Sequence, residues 1–236
     1  MFHELRLYHP APGRIDELVE RIGSVMHPFF ERHGFPKRLG QWTVVAGGTT
    51  PLFAWMLRWT DLAQRTAAFA ALNADAEWQA VRTRTNGPGE MVKRYDLRFL
   101  APAAAWTMHR ATHERPASCP LYEVRVHPVA VGRTGHADQV LAEVDLPALA
   151  DCGAAIAGVF DNIVGGAATP GVTLLLGWQD HAQRRRALAA YEQHASVVAA
   201  RRRERQQWGG EHVLGEGSSL LLEPSPFGAI DLEDPA

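Results

Sequence analysis

From His3 to His9 the chain alternates, with Leu5 and Leu7 on one face and Glu4, Arg6 and Tyr8 on the other, the period of a half-buried strand. Apolar residues then recur at Ile15, Leu18, Val19, Ile22, Val25, Met26 and Phe29, the stripe of an amphipathic helix. Gly34 is placed to stop that helix after His33, and Pro28 should kink its last turns. Gln41 to Val45 and Leu52 to Trp59 suit two strands joined at Gly47 and Gly48, where glycine reaches positive φ at little cost. Asp61 and Gln64 form a capping-box pattern that opens a second helix, and a strand near Met91 to Leu100 closes the set. The order βαββαβ is the split ferredoxin-like arrangement.

The same pattern returns after 119 residues. In that register Glu4 and Arg6 meet Glu123 and Arg125, Gly13 and Arg14 meet Gly132 and Arg133, Pro28 meets Pro147, Gly34 meets Gly153, and Pro51 meets Pro170. Trp59, Asp61, Ala63, Gln64 and Arg65 meet Trp178, Asp180, Ala182, Gln183 and Arg184, a WxDxAQR string present twice. Matched Gly, Pro and Trp spread over three elements in one register indicate duplication. The first module is assigned to residues 1–101, a proline-containing linker to 102–119, the second module to 120–226, with its closing strand near Val213 to Leu222, and an acidic tail to 227–236.

A ferredoxin-like sheet carries helices on one face, so its other face needs cover. The expected fold is therefore α+β, with two βαββαβ modules whose antiparallel sheets pack into one pseudo-dimeric α/β barrel. In that arrangement the alternating Glu and Arg of each first strand are expected to point into the lumen.

Three stretches resemble NIPSNAP proteins: Glu4, Leu5, Arg6 at the first strand; Glu31, Arg32, His33, Gly34, Phe35 at the helix end; and Asp75, Ala76, Glu77, Trp78, Gln79 in the second helix. The first module matches throughout. The second has Cys152 in place of His33 and Val197 in place of Trp78, and reads as diverged. The resemblance implies a dimeric α/β barrel of the group that holds cofactor-free monooxygenases, muconolactone-type isomerases, haem enzymes and proteins of no known activity. It implies a fold and leaves the chemistry to the site.

Apolar content of 46% and charged content of 21% are those of a folding globular chain. A net charge of -2 offers no global attraction to nucleic acid or an anionic membrane. No apolar stretch is long enough to span a bilayer and Met1 to Arg6 has no signal-like character, so a cytoplasmic location is expected. Cys119 and Cys152, in unlike contexts, indicate neither a disulfide framework nor a zinc site.

Glu4, Arg6, Glu123 and Arg125 are the first candidates for chemistry, because i and i+2 on a strand share a face. A carboxylate beside a guanidinium can orient an anionic or enolic substrate, although a self-satisfied ion-pair network is the more ordinary role. His127 takes the slot that Tyr8 holds in the first module and is the one group of that face that titrates near neutral pH. Glu123, Arg125 and His127 are thus the catalytic candidates, acting on a ligand held by Glu4, Arg6 and Tyr8, with Trp42 and Trp55 as further lining. Trp59 and Trp178 read as packing. His109 and His113 have i, i+4 spacing but no carboxylate partner, and no metal or other cofactor is expected. His181 and His194 read as surface residues, and the arginines of the last long helices as a solvated face.

The leading reading is a small-molecule-binding barrel, with cofactor-independent proton transfer, isomerisation or oxygenation of an aromatic or polyketide-like substrate as its chemistry. A non-catalytic interaction protein and a haem-binding barrel stay open beside it, as does assembly of pseudo-dimers into a homo-oligomer.

Overall fold

The computed structural model describes residues 1–111, 118–166, 168–209 and 212–228. Eight strands close into an antiparallel barrel in the order β1-β3-β2-β8-β5-β7-β6-β4. The residues fall into two compact units, Met1–Phe99 with Leu222–Ala236, and Leu100–Leu221.

In unit 1, β1 (Phe2–Pro10) pairs with β3 (Leu52–Trp59), which pairs with β2 (Arg38–Ala46). The register sets Arg6 opposite Trp55 and Glu4 opposite Leu57, so these four share a face. That face is covered by α1 (Ile15–Glu20), α2 (His27–Arg32), α3 (Leu62–Ala74) and α4 (Ala76–Asn86), whose Leu18, Ile22, Phe29, Phe30, Ala68, Leu72 and Trp78 form one core with Phe53, Trp55, Leu57 and Trp59. β4 (Val92–Pro102) follows. Pro28 does not kink the end of a continuous helix. Arg21–Val25 forms a π turn, and Pro28 lies in the first turn of the helix that restarts after it, where its missing N–H costs nothing. The carbonyls of Ile22 and Gly23 accept from the Arg38 guanidinium.

Unit 2 repeats the plan. β5 (Leu121–Pro128) pairs with β7 (Gly171–Trp178), and β7 with β6 (Ala155–Val164). The covering helices are α5 (Ala104–Arg110), α6 (Thr134–Val140), α7 (Leu146–Asp151), α8 (His181–Glu192) and α9 (Ala195–Trp208), with a second π turn at Leu141–Asp145. The stretch read as a linker contains α5, whose N-cap Ala103 packs into this core with Ala105 and Trp106. The last strand, β8 (Ser218–Pro224), starts later than Val213 because residues 213–215 leave the ladder to bridge Val129 and Ala130.

Among the described residues no helix is long and apolar enough to cross a membrane. Both cysteines are free thiols whose pKa values burial pushes up.

Candidate functional site

The Glu and Arg of the two first strands lie on the helix-covered face of each sheet, not on the opposite face as expected. Leu5 and Leu7 take the opposite face of β1, and Trp42, opposite Ala54, shares it with them. The reason is that the helices bring partners for the charges. Arg65 of α3 donates to both Glu4 oxygens at 2.9 and 2.8 Å, and Trp59 Nε1 donates to Oε2 at 2.8 Å. Arg184 of α8 does the same for Glu123 at 2.8 Å twice, with Trp178 Nε1 at 3.2 Å and Ser219 Oγ at 2.5 Å. Burial alone would raise the Glu123 carboxyl, but Arg184, Arg125 and Ser219 outweigh it and hold the group below the usual carboxylate range.

The two arginines differ. Arg6 is only 4% exposed; it donates to Glu4 and, at 3.0 Å, to the Tyr8 hydroxyl. Four rings surround its guanidinium: Phe69 at 4.6 Å, Tyr8 and Trp55 at 5.4 Å, and Tyr95 at 5.8 Å. Phe30 stacks behind Trp55 at 5.6 Å. Glu4, Arg6 and Tyr8 thus satisfy one another within the core, with Trp55 packed over the guanidinium. In unit 2, His127, Leu174 and Leu188 stand 119 residues on from Tyr8, Trp55 and Phe69; the closing strands align Met91 with Val213, so Gly217 takes the place of Tyr95; Leu149 takes that of Phe30 and Val197 that of Trp78. Among the described residues no ring lies over Arg125, and its Nε stands 3.3 Å from Glu123 Oε1.

The lost ring volume leaves a cavity of about 320 Å³ lined by Arg125, His127, Leu149, Leu174, Val197 and Leu214 among others. Asp145, Tyr191 and Arg201 also line it; the first two were not singled out from the sequence, and Arg201 was read with the solvated arginines. Arg201 of α9 donates to both Asp145 oxygens at 2.9 Å, and the Tyr191 hydroxyl of α8 donates to Oδ1 at 2.8 Å. This triad ties the π turn to two helices. Burial raises the Asp145 carboxyl against the pull of Arg201 and raises the Tyr191 hydroxyl further beside that carboxylate. The signal for them was present: Asp145 and Tyr191 stand where the first module has the core residues Met26 and Leu72.

His127 Nδ1 lies 2.9 Å from the Gly215 carbonyl, which can only accept, so the proton sits on Nδ1 and Nε2 is the acceptor. Burial, with Arg125 and Arg201, lowers its pKa and keeps the ring neutral near pH 7. Gly217 packs on the imidazole, where a Cβ would come within 2.5 Å of the ring.

The remaining candidates fall outside this cluster. His109 is buried in α5 and stacks on Trp106 at 6.0 Å; His113 lies outside the described residues, as do Asp231 and Asp234 of the tail. His181 is exposed, and His194 meets Ser196 at 2.9 Å at the start of α9. Arg184 and Arg201 turn inward, while Arg185, Arg186, Arg202, Arg203 and Arg205 form the solvated face. Among the described residues no group of three or more His, Cys, Asp or Glu could hold a metal ion.

The fold and this geometry meet a known family. Residues 3–106 match the NIPSNAP family model. Over those residues the chain is similar to the NIPSNAP family. The mouse (Mus musculus) protein NipSnap homolog 3B is 33% identical over 78 residues, 33% of this chain and 30% of that protein, so the chain spans less than a third of its relative. An uncharacterized NIPSNAP domain protein from Burkholderia xenovorans is 25% identical, over 44% of this chain and 96% of that one, with a TM-score of 0.36. A mutant chlorite dismutase from Candidatus Nitrospira defluvii is 9% identical, over 96% of this chain and 91% of that one, with a TM-score of 0.56, a likeness of fold. Within the matched residues, the stretches at Glu31 and Asp75 hold each other. His33 Nε2 meets Asp75 Oδ2 at 2.8 Å, Arg32 reaches Asp75 and Glu77, and Asp75 caps α4 through the amides of Glu77 and Trp78. His33, these two amides and Arg32 hold the Asp75 carboxyl well below its ordinary range.

Proposed function

We propose that the chain is an internally duplicated small-molecule-binding protein in which the first module keeps a packed core and the second carries the site. The site binds an anionic molecule at Arg125 and exchanges a proton with it at His127. One observation carries the reading: the four rings that enclose Arg6 are absent around Arg125, and a cavity lies where side chains of that size would stand. A guanidinium offers several donors in a fixed fork, which suits a carboxylate or enolate oxygen. The chemistry that follows is proton transfer: the O–H or C–H proton of the bound acid passes to Nε2, giving an imidazolium and an anion whose charge lies beside Arg125. Gly215 fixes the tautomer that makes Nε2 the base, and Gly217 leaves room for the ring.

Isothermal titration of the full chain with a panel of small carboxylates tests this. Binding is expected in the wild type and is expected to weaken at least about ten-fold in Arg125→Met, the loss of one charge-assisted contact. His127→Gln should still bind the carboxylate anion but lose the proton uptake from solvent that accompanies anion binding in the wild type, because no imidazole remains to take the proton. Equal affinity in Arg125→Met, or no binding by any carboxylate, would overturn the reading.

A further inference from the structure

Resting on the anion site just described, the two modules, compared position by position, specify what shape of ligand fits. In unit 1 the guanidinium of Arg6 has rings against it: Phe69 is 4.6 Å away and Trp55 5.4 Å, with Phe30 stacked on the far side of Trp55 at an interplanar angle of 19°. An arginine face is weakly hydrated and stacks well on π systems, so a buried guanidinium is most stable with such cover. In unit 2 the corresponding Leu174, Leu188 and Leu149 cannot supply it. The cover is missing while Arg125 itself, its Glu123 brace and the Arg184 clamp all remain.

We propose that the unit 2 cavity takes a two-ring aromatic monoanion, its plane against Arg125 as Phe69 and Trp55 lie against Arg6. The size follows from volume: a cavity of about 150 Å³ holds a benzene ring, and about 320 Å³ is available here. The walls agree, since Leu141, Leu149, Leu174, Val197 and Leu214 are apolar and broad. Single charge follows from the other cation in the cavity. Arg201 is already paired through both oxygens of Asp145, while the single charge of Glu123 is shared between Arg184 and Arg125, which leaves one positive charge at Arg125 to meet an anion.

The experiment compares 2-naphthoate with its saturated counterpart, decalin-2-carboxylate, and with benzoate, by isothermal titration of the full chain. The expected order is 2-naphthoate tightest, by about ten-fold over the saturated acid of similar size, with benzoate weaker because it fills half the space. Leu174→Trp, which restores the indole, should lose 2-naphthoate binding while its unfolding midpoint is kept. Should that variant fail to fold, Leu149→Phe, which restores the ring of Phe30 at another lining position, gives the same test. Decalin-2-carboxylate binding as tightly as 2-naphthoate would overturn the aromatic assignment and leave the anion site standing. Unaltered 2-naphthoate binding in both wall variants would also overturn it. Absence of binding by all three acids would remove the anion site itself.

Discussion

At the scale of single residues, the contrast between Arg6 and Arg125 shows how one residue type in one backbone slot is given two roles by its neighbours. Each stands beside a buried glutamate on a first strand, and each glutamate is satisfied by a tryptophan N–H and a helix arginine. Only the rings differ. A residue-level prediction concerns His3, on the opposite face of β1, where burial, Arg58 and the amino terminus lower its pKa to about 4. The unfolded imidazole takes its proton near pH 6.5 and the folded one only at the lower value, so this contribution to stability is fully present above about pH 6.5 and is lost as pH falls toward 4. The loss is on the order of 3 kcal/mol at most. Urea unfolding at a series of pH values should show the decline in the wild type and a flatter profile in His3→Gln; matching profiles would contradict the assignment. His127 shifts in the same direction and adds to the same acid-side loss.

At the scale of elements, the alternation of β1 and β5 was legible, and so were the helix starts capped by Asp61 and Asp180, whereas Asp75, read within the second helix, starts a further one, α4. Asp61 Oδ1 accepts from Gln64 N at 2.8 Å, and Asp180 Oδ1 from Gln183 N at 2.6 Å, while each Gln side chain accepts from the residue before the cap. Asp61→Ala and Asp180→Ala are each expected to cost on the order of 1 kcal/mol, read as lower urea midpoints with unchanged slopes; unchanged midpoints in both would refute the caps. What the alternation could not say is which face of each strand the helices cover. Charged residues suggested the uncovered side, because a carboxylate under helices is costly unless paired. The partners come from α3 and α8, through Arg65 and Arg184, the last residues of the two WxDxAQR strings, and that string could have been read as the source of the pairing. The π turns were hidden for a different reason: an inserted backbone residue leaves an apolar stripe almost unchanged, so nothing in the pattern set Asp145 apart.

At the scale of the whole molecule, one plan is built twice, with equal strand registers in both units, yet their interiors are filled differently. Unit 1 closes over its arginine with aromatic rings; unit 2 substitutes leucine and valine and gathers Asp145, Tyr191 and Arg201 at the vacated space. The central claim is that a ligand enters unit 2 and not unit 1. It is tested most directly by a nuclear magnetic resonance titration of the full chain, labelled at histidine and leucine, with 2-naphthoate. The account predicts shifts at the His127 imidazole and the Leu149, Leu174 and Leu214 methyls, with His33 and the Leu57 and Leu72 methyls unmoved. Shifts at His33, Leu57 and Leu72 with His127 and Leu174 unmoved would contradict it.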